Sequence, residues 1–359
     1  MVPVVDSVAR LIGAQHAQWG TSAVASEVFG TGDAAESAAI IDRYCRHELG
    51  SESGAALFYG ASAGCVLGLR LADGAEVVIK AYQEGWRAPF LRAVQAVQAH
   101  MATSGFPCAT PLVGPATLVP GRPNLAMVES LLPDPGMRPY SSATERRASA
   151  DGLARQIAAC RELVPLPTLA PLADHPLRRL PGGLYGEPHS PLFDFAGTAA
   201  SAEWIDALAT RALELRDADR RPPVIAHTDW AARNVRLNDD GLVAVYDWDS
   251  VALVTESTAV GQAAATWSVT ADPGGTEFPT APDIAGFVAD YEEAPGARLD
   301  DEQWRAAGAA AAYTLAYTAR CEHSLDAKGM ARPDQHAARD RLAEAGERLL
   351  ALERVVSRS

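Results

Sequence analysis

The segment VIAHTDWAARNVRLNDDGLVAVYDWDS, residues 224–250, combines short apolar runs with a concentration of acidic and amide side chains. The runs VIAH, VRLN and LVAVYDW predict short strands, and the D-D-G tripeptide at 239–241 predicts a tight turn between the last two. The first strand delivers Asp229 into a loop that Asn234 closes, and the hairpin returns the chain so that Asp247 ends the last strand. We therefore expect these three side chains to converge on one small volume.

Two carboxylates and one carboxamide in such an arrangement suit phosphoryl transfer. Mg²⁺ takes oxygen ligands and binds through only a few protein groups, so Asn234 and Asp247 are candidate ligands. Asp229 would lie beside an acceptor hydroxyl and accept its proton. Each residue alone is better explained as an ordinary turn residue. The ordered set, D-x4-N followed by an apolar strand that ends in Asp, favours the chemical interpretation.

The same residues carry a family resemblance. His227-Thr228-Asp229, with Asn234 five residues after the aspartate, forms the pattern H-x-D-x4-N, and Asp247 lies in a Y-D-W context. This resembles the aminoglycoside phosphotransferase and choline kinase families, relatives of the protein kinases. The resemblance implies Asp229 as catalytic base, Asn234 and Asp247 as Mg²⁺ ligands, ATP or GTP as phosphoryl donor, and His227 as structural support for the loop. Arg233 departs from the small or polar residue often found beside the asparagine, and the role of Asp249 stays open.

Weaker matches lie in the N-terminal third. The runs AALFYG, CVLGLRLA and EVVIKAY predict three strands, with an Asp-Gly hairpin turn between the last two. Lys80, in VVIKAY, matches the family lysine that contacts the α- and β-phosphates. The small-residue loop with Ser62 and Gly64 would cover the phosphates, and the segment with Glu129 and Leu131 resembles the linker whose backbone recognises adenine. Each feature alone also fits an ordinary strand end, hairpin or edge strand.

One family feature is missing. The helix after the third strand usually carries a glutamate that pairs with the lysine, but the helix predicted here, FLRAVQAVQAHMA, contains no acid. Gln95 or Gln98 occupies that region. Either a hydrogen bond replaces the ion pair, or an acid elsewhere serves.

The order of elements predicts an α+β, bilobal protein-kinase-like fold. Five strands, with one helix inserted after the third, form a small antiparallel sheet, and the rest of the chain is mainly helical. We expect an N-terminal helical segment at 1–50, a nucleotide-binding β-rich N-lobe at 51–132, and a helical C-lobe at 133–359 that carries the catalytic hairpin.

Composition narrows the function classes. The formal net charge of −14 argues against a nucleic-acid groove, which needs a basic surface. The five cysteines are far apart and form no CxxC pair, which indicates reduced thiols rather than a disulfide framework or zinc site. No apolar run is long enough for a membrane span, and the N-terminus lacks a signal-peptide pattern. We expect a cytoplasmic protein with no nucleic-acid or membrane partner, and the oligomeric state stays open.

The favoured function is ATP-dependent phosphorylation of a small-molecule hydroxyl, on an aminoglycoside-like antibiotic, a sugar or an amino alcohol. The alternative is a non-catalytic nucleotide-binding protein, which the missing helix glutamate supports. A protein kinase is disfavoured because no D-F-G or A-P-E segment is present. The acids Glu187, Asp194 and Glu256 would either receive ammonium groups of the acceptor or lie as solvated surface charges.

Overall fold

The computed structural model describes residues 4–179, 182–270, 277–330 and 337–354, with the side chains of residues 4–6 left aside. The chain forms two compact units. The first comprises Met1–Ala102, Ala109–Leu132 and His189–Leu192, and the second comprises Thr103–Cys108, Pro133–Pro188 and Phe193–Ser359.

The first unit packs helices against one sheet. Its elements are α1 (Val4–Trp19), α2 (Ala23–Phe29), α3 (Ala34–Tyr44), β1 (Ser53–Ala61), β2 (Gly64–Leu71), β3 (Glu76–Tyr82), α4 (Ala88–Thr103), β4 (Pro111–Thr117) and β5 (Leu125–Ser130). Helix α3 continues into a π-helical turn, Cys45–Leu49, and ends at Gly50 in the left-handed conformation. Apolar side chains of α1–α3 and of the sheet share one core.

The sheet of the first unit has five antiparallel strands, as predicted, and their order is β1-β2-β3-β5-β4. The turn between β2 and β3 is closed by a hydrogen bond from the Gly74 N–H to the Leu71 carbonyl, and Gly74 has a φ of 91° that favours glycine. The loop between β1 and β2 is shorter than predicted, because Ala61 pairs with Cys65 and only Ser62 and Ala63 lie between the strands.

The second unit is mainly helical. Its elements are α5 (Ala143–Ala159), α6 (Glu203–Arg216), β6 (Val224–His227), β7 (Val235–Asn238), β8 (Gly241–Val245), β9 (Val251–Val254), α7 (Glu256–Thr266), α8 (Ala281–Glu292), α9 (Asp301–Ala327) and α10 (Ala337–Leu350). The alanine-rich α9 is buried over most of its length and contacts α6, α7, α8 and α10. The final helix of the described residues, α10, ends at Leu350.

A Pro-rich connector spans residues 165–191, and within it Pro167–Asp174 forms a 3-10 helix. Leu180 and Pro181, within this connector, lie outside the described residues. All five cysteines are buried, and none forms a disulfide, as their spacing indicated.

In the described parts of the chain, no helix has both the length and the apolar character needed to cross a membrane.

Candidate active site

Two short antiparallel ladders hold the segment 224–254 in the second unit. Strand β7 pairs with β8 as predicted, and the connection is tight because Asn238 pairs with Gly241 across the turn. Gly241 has a φ of 111°, which a side chain would oppose. Strand β6 pairs instead with β9, a strand that the sequence did not reveal. The loop after β6 and the loop between β8 and β9 are thus each bounded by paired strands.

Asp229 and Asn234 are in direct contact. The Asn234 Nδ2 donates to Asp229 Oδ2 at 2.7 Å and to the Asp229 carbonyl at 3.0 Å. These two acceptors fix the orientation of the carboxamide, because only its nitrogen can donate. The Asn234 Oδ1 is left as an acceptor, which is the type of atom that a hard cation takes as a ligand.

Arg233 forms the second contact of the Asp229 carboxylate. Its Nη2 donates to Asp229 Oδ1, and its Nε donates to Oδ2 at 3.3 Å. The Asp229 side chain is 30% exposed, so solvent and small molecules reach it despite both partners. The residue that departs from the family pattern therefore holds the side chain of the predicted base in one orientation.

His227 is fully buried, and both of its ring nitrogens are engaged. Nδ1 accepts the Asp229 N–H at 3.3 Å, so Nε2 carries the proton and donates to the Tyr246 carbonyl at 2.9 Å. The ring also makes edge contacts with Trp230 and Trp248, with centroids 5.8 and 6.0 Å away. This geometry agrees with a histidine that joins the two loops rather than one that shuttles protons.

The residue before Asp247 is hydrogen-bonded to the backbone of Asn234. The Tyr246 N–H donates to the Asn234 carbonyl at 2.8 Å, which extends the β7–β8 ladder to the residue before Asp247. Asp247 adopts the left-handed conformation, with φ 61° and ψ 47°, which is uncommon outside glycine. Ser250 stabilises it through an Oγ contact with Oδ2 at 3.3 Å and an N–H bond to its carbonyl at 3.0 Å.

Two further residues of the second unit support these loops, and sequence reasoning missed both. His175 donates to the Asp249 backbone carbonyl and accepts the Leu177 N–H on Nδ1 at 3.1 Å. Burial lowers the pKa of His175 to about 4, and the Asp249 carbonyl and the Asp247 charge only partly offset it. His175 is therefore neutral near pH 7, and its one ring N–H is used on the loop that carries Asp247.

Arg236 is the second missed residue. It is 5% exposed, donates from Nη1 to the carbonyls of Ala232 (2.7 Å) and Arg233 (3.1 Å), and pairs through Nε with Asp134 at 2.8 Å. A charged residue inside the strand VRLN was the one available signal. Its partner lies 102 residues earlier, so the sequence could not supply it.

The predicted nucleotide-contacting residues lie in the first unit. Lys80, on β3, is 5% exposed and lines a narrow cavity together with Gln95, Gln98, Pro111, Met127, Val128 and Glu129. At the β1–β2 turn, the Ser62 N–H donates to the Gly64 carbonyl at 2.9 Å, and a Cβ on Gly64 would lie 2.6 Å from the Ala81 carbonyl. The Leu131 N–H donates to the Glu76 carbonyl within the sheet. A role for Ser62, Gly64, Glu129 and Leu131 in nucleotide binding stays a prediction.

The two glutamines of α4 have different partners. Gln95 donates to the Val113 carbonyl at 3.1 Å, whereas Gln98 donates to the Glu129 carboxylate at 2.8 Å and to the Ala109 carbonyl at 3.1 Å. Gln98 thus faces an acid on β5, and Gln95 is used on the backbone of β4.

Two of the acids considered for acceptor binding, Glu256 and Asp194, have hydrogen-bond partners within the chain. Glu256 accepts the Tyr291 hydroxyl at 2.6 Å, and Asp194 accepts the Gly197 N–H at 2.7 Å. Tyr313 and Tyr317 pack around Tyr185, at ring-centroid distances of 5.9 and 6.2 Å. These contacts agree with packing roles and do not identify an acceptor.

The donor set fits a magnesium ion better than a softer metal. Asn234 and Asp247 supply oxygen atoms only, and Mg²⁺ needs few protein ligands because it keeps water and substrate phosphates. Among the described residues, no group of three or more His, Cys, Asp or Glu side chains could hold a metal by itself.

Comparison with known proteins identifies the family. The model of the APH phosphotransferase enzyme family matches residues 69–323, well over half of the chain. No curated protein matches the sequence. Two similar solved structures are the amicoumacin kinase hAmiN in complex with AMP-PNP, Ca²⁺ and Ami, and a microcompartment-associated aminopropanol kinase.

The first of these is 10% identical, covers 79% of this chain and 85% of its own, and has a TM-score of 0.56. The second is 12% identical, covers 87% of this chain and 99% of its own, and has a TM-score of 0.51. At these identities the likeness concerns the fold, and it confirms the predicted protein-kinase-like class. Together with the family match, it shows that the chain belongs to the APH phosphotransferase enzyme family.

Proposed function

We propose that this chain transfers the γ-phosphoryl group of ATP, or GTP, to a hydroxyl of a small molecule, with Asp229 as the base. The single observation that carries the proposal is the contact between the Asp229 carboxylate and the Asn234 carboxamide at 2.7 Å, one backbone hydrogen bond away from Tyr246-Asp247. This contact supports a site in which Asp229, as the base, faces the acceptor hydroxyl while the neighbouring Asn234 offers its oxygen to the metal bound by the phosphates.

The proposed reaction is a simple displacement. The acceptor oxygen bonds to the γ-phosphorus, the bond between that phosphorus and its bridging oxygen breaks, and the nucleoside diphosphate leaves. Asp229 orients the hydroxyl and takes its proton, and Arg233 and Asn234 keep the carboxylate in one orientation meanwhile. Lys80 would contact the α- and β-phosphates.

Asn234 and Asp247 would hold Mg²⁺, which, when bound, neutralises charge on the phosphates. The AMP-PNP and Ca²⁺ in the amicoumacin kinase structure support a nucleotide and a divalent cation in this fold. The names of that kinase and of the aminopropanol kinase support a small hydroxylated acceptor. We propose the same acceptor classes as the sequence did: an aminoglycoside-like antibiotic, a sugar or an amino alcohol.

The test is a screen of these acceptors for phosphorylated product and released ADP in the presence of Mg-ATP. For the best acceptor, Asp229→Asn should lower kcat by ~10²- to 10⁴-fold, the range for loss of a general base. Asp239→Asn, in the exposed turn of the same hairpin, is the matched control and should keep full activity. Full turnover by Asp229→Asn would show that the base is misassigned.

The rival function, a non-catalytic nucleotide-binding protein, is not favoured by the family match. It predicts a rise in melting temperature with Mg-ATP but no phosphorylation of any acceptor. That combined result would replace the proposal.

A further inference from the structure

Lys80 needs a counter-ion, because a buried ammonium group without an opposite charge is costly. The helix that supplies a glutamate in the related enzymes carries Gln95 and Gln98 instead. Among the residues that line the Lys80 cavity, Glu129 is the one acid. It is 8% exposed and lies on β5, the strand next to β3.

The register of β3 and β5 places both charges on one face of the sheet. Val78 pairs with Glu129, and Lys80 pairs with Met127. Side chains of paired residues point to the same face, and so do residues two apart on one strand. Lys80 and Glu129 are therefore diagonal cross-strand neighbours, a separation that two long side chains can bridge.

Gln98 holds the carboxylate from the side of the helix. Gln98 is 1% exposed, and its side-chain amide donates to Glu129 Oε2 at 2.8 Å and to the Ala109 carbonyl at 3.1 Å. One Glu129 oxygen is thereby occupied, which limits the rotation of the carboxylate. The glutamine at the helix position thus has a specific partner, and that partner carries the charge that the helix lacks.

We propose that Glu129 is the counter-ion that positions Lys80 for the nucleotide phosphates, and that Gln98 orients Glu129. The acid of this lysine pair lies on strand β5 rather than on helix α4. Glu129 and Gln98 are positioning residues, since both act through Lys80. This inference rests on the proposed function, because it assigns Lys80 to the phosphates.

The first experiment measures the ion pair without activity. Lys80→Met and Glu129→Gln each leave one buried charge without its partner, so each should lower the melting temperature of the full chain. The variant with both changes should melt at or above the more stable of the two single variants. Additive losses would show that the two side chains do not interact, and they would overturn the inference even if the chain proves to be an active kinase.

The second experiment measures the nucleotide. Glu129→Gln should raise the KM for ATP at least tenfold and leave the KM for the acceptor within twofold. Adding Gln98→Glu returns an acid to the helix and should recover most of the ATP affinity, which a purely structural defect would not allow. Glu76→Gln, an exposed acid of β3 paired with Arg70, is the matched control and should behave as the unmodified chain.

An unchanged KM for ATP in Glu129→Gln, or no recovery in the double variant, would overturn the inference. If Glu129→Gln does not fold, the Gln98→Glu/Glu129→Gln variant still tests the inference. An acid on α4 then replaces the one on β5, so this variant should fold and bind ATP. Failure of the proposed function is a different result: no acceptor is phosphorylated, whereas the coupling between Lys80 and Glu129 in thermal melts remains.

Discussion

The carboxylates of Asp229, the proposed base, and Glu129, the proposed counter-ion of Lys80, are held in opposite ways. Asp229, in the second unit, is 30% exposed, and its partners Arg233 and Asn234 lie four and five residues later in the chain. Glu129, in the first unit, is 8% exposed, and its partner Gln98 lies 31 residues earlier. One site is assembled by local chain geometry, the other by packing between distant elements.

Because of this difference, substitutions at the two carboxylates should affect activity and folding stability to different degrees. A side chain that is partly exposed and held by near neighbours can be replaced at little cost to the fold, although the reaction suffers. A buried polar side chain that depends on distant elements takes part in the core, and its loss affects both. Substitutions in the first class should therefore lower activity alone, and those in the second class should lower both activity and stability.

The largest effect on activity, after the loss of Asp229, is expected for Asp247→Asn. Asparagine tolerates the left-handed conformation of this position, so the loop should keep its shape and the melting temperature should not change. Loss of one charged oxygen ligand should lower kcat/KM ~10²- to 10³-fold, the size found when one electrostatic contact is removed, and raise the Mg²⁺ concentration needed for half-maximal rate. Asp240→Asn, in the exposed turn, is the control. A large fall in melting temperature would contradict the local character of this site.

The next largest effect is expected for Arg236, a buried residue of the second unit whose partner, Asp134, is distant in the chain. Arg236→Met keeps much of the stem but removes the donors to the Ala232 and Arg233 carbonyls, and it should lower the free energy of unfolding by ~2 kcal/mol. Urea unfolding measures this loss. The value of kcat should fall as well, because the loop that carries Asp229 loses these hydrogen bonds. Arg178→Met, in an exposed pair with Asp174, should change stability little. Equal losses of stability in Arg236→Met and Arg178→Met would contradict the distinction between buried long-range contacts and exposed local ones.

The Arg236 contribution should also depend on pH. Burial alone would raise the pKa of Asp134, but hydrogen bonds from Arg236 and Gly136, with the Arg236 charge, lower it below its usual value. A carboxyl with a lowered pKa stabilises the fold above its unfolded pKa of about 3.9 and loses that contribution as pH falls further. The stability difference between Arg236→Met and the unmodified chain should therefore shrink below about pH 4.

The smallest effect is expected at a local contact far from the chemistry. Glu145 closes the capping box of α5, and its Oε2 accepts the Ser141 and Ser142 N–H groups at 3.0 Å each. Burial alone would raise the pKa of Glu145, but these hydrogen bonds and the Arg138 contact lower it to about 2. Glu145→Gln should cost at most ~1 kcal/mol near pH 7, and the loss should fade as pH falls from about 4.5 to about 2. Kinase rates that change with this substitution would contradict a purely structural contact.

The local site could be predicted from the sequence because its geometry follows from short-range rules. The spacing of Asp229 and Asn234, and the D-D-G turn before Asp247, predicted the hairpin of β7 and β8 and the proximity of the first two side chains. Strand β9 was missed because VALV follows a 3-10 turn directly and has no turn signal of its own. His175 was missed because it lies in a Pro-rich connector, where nothing marks one histidine as a partner of the Asp249 carbonyl.

By itself, the sequence determined the α+β class, the family, and the loop that brings Asp229 and Asn234 together, since each depends on residues close in the chain. Only the tertiary structure decided that Gln98 rather than Gln95 faces an acid and that this acid is Glu129. It also decided that Arg236 joins the Ala232 and Arg233 carbonyls to Asp134. The physical reason is register: which side chains meet across a sheet or between a helix and a strand depends on how distant segments pair, and local spacing does not encode that pairing.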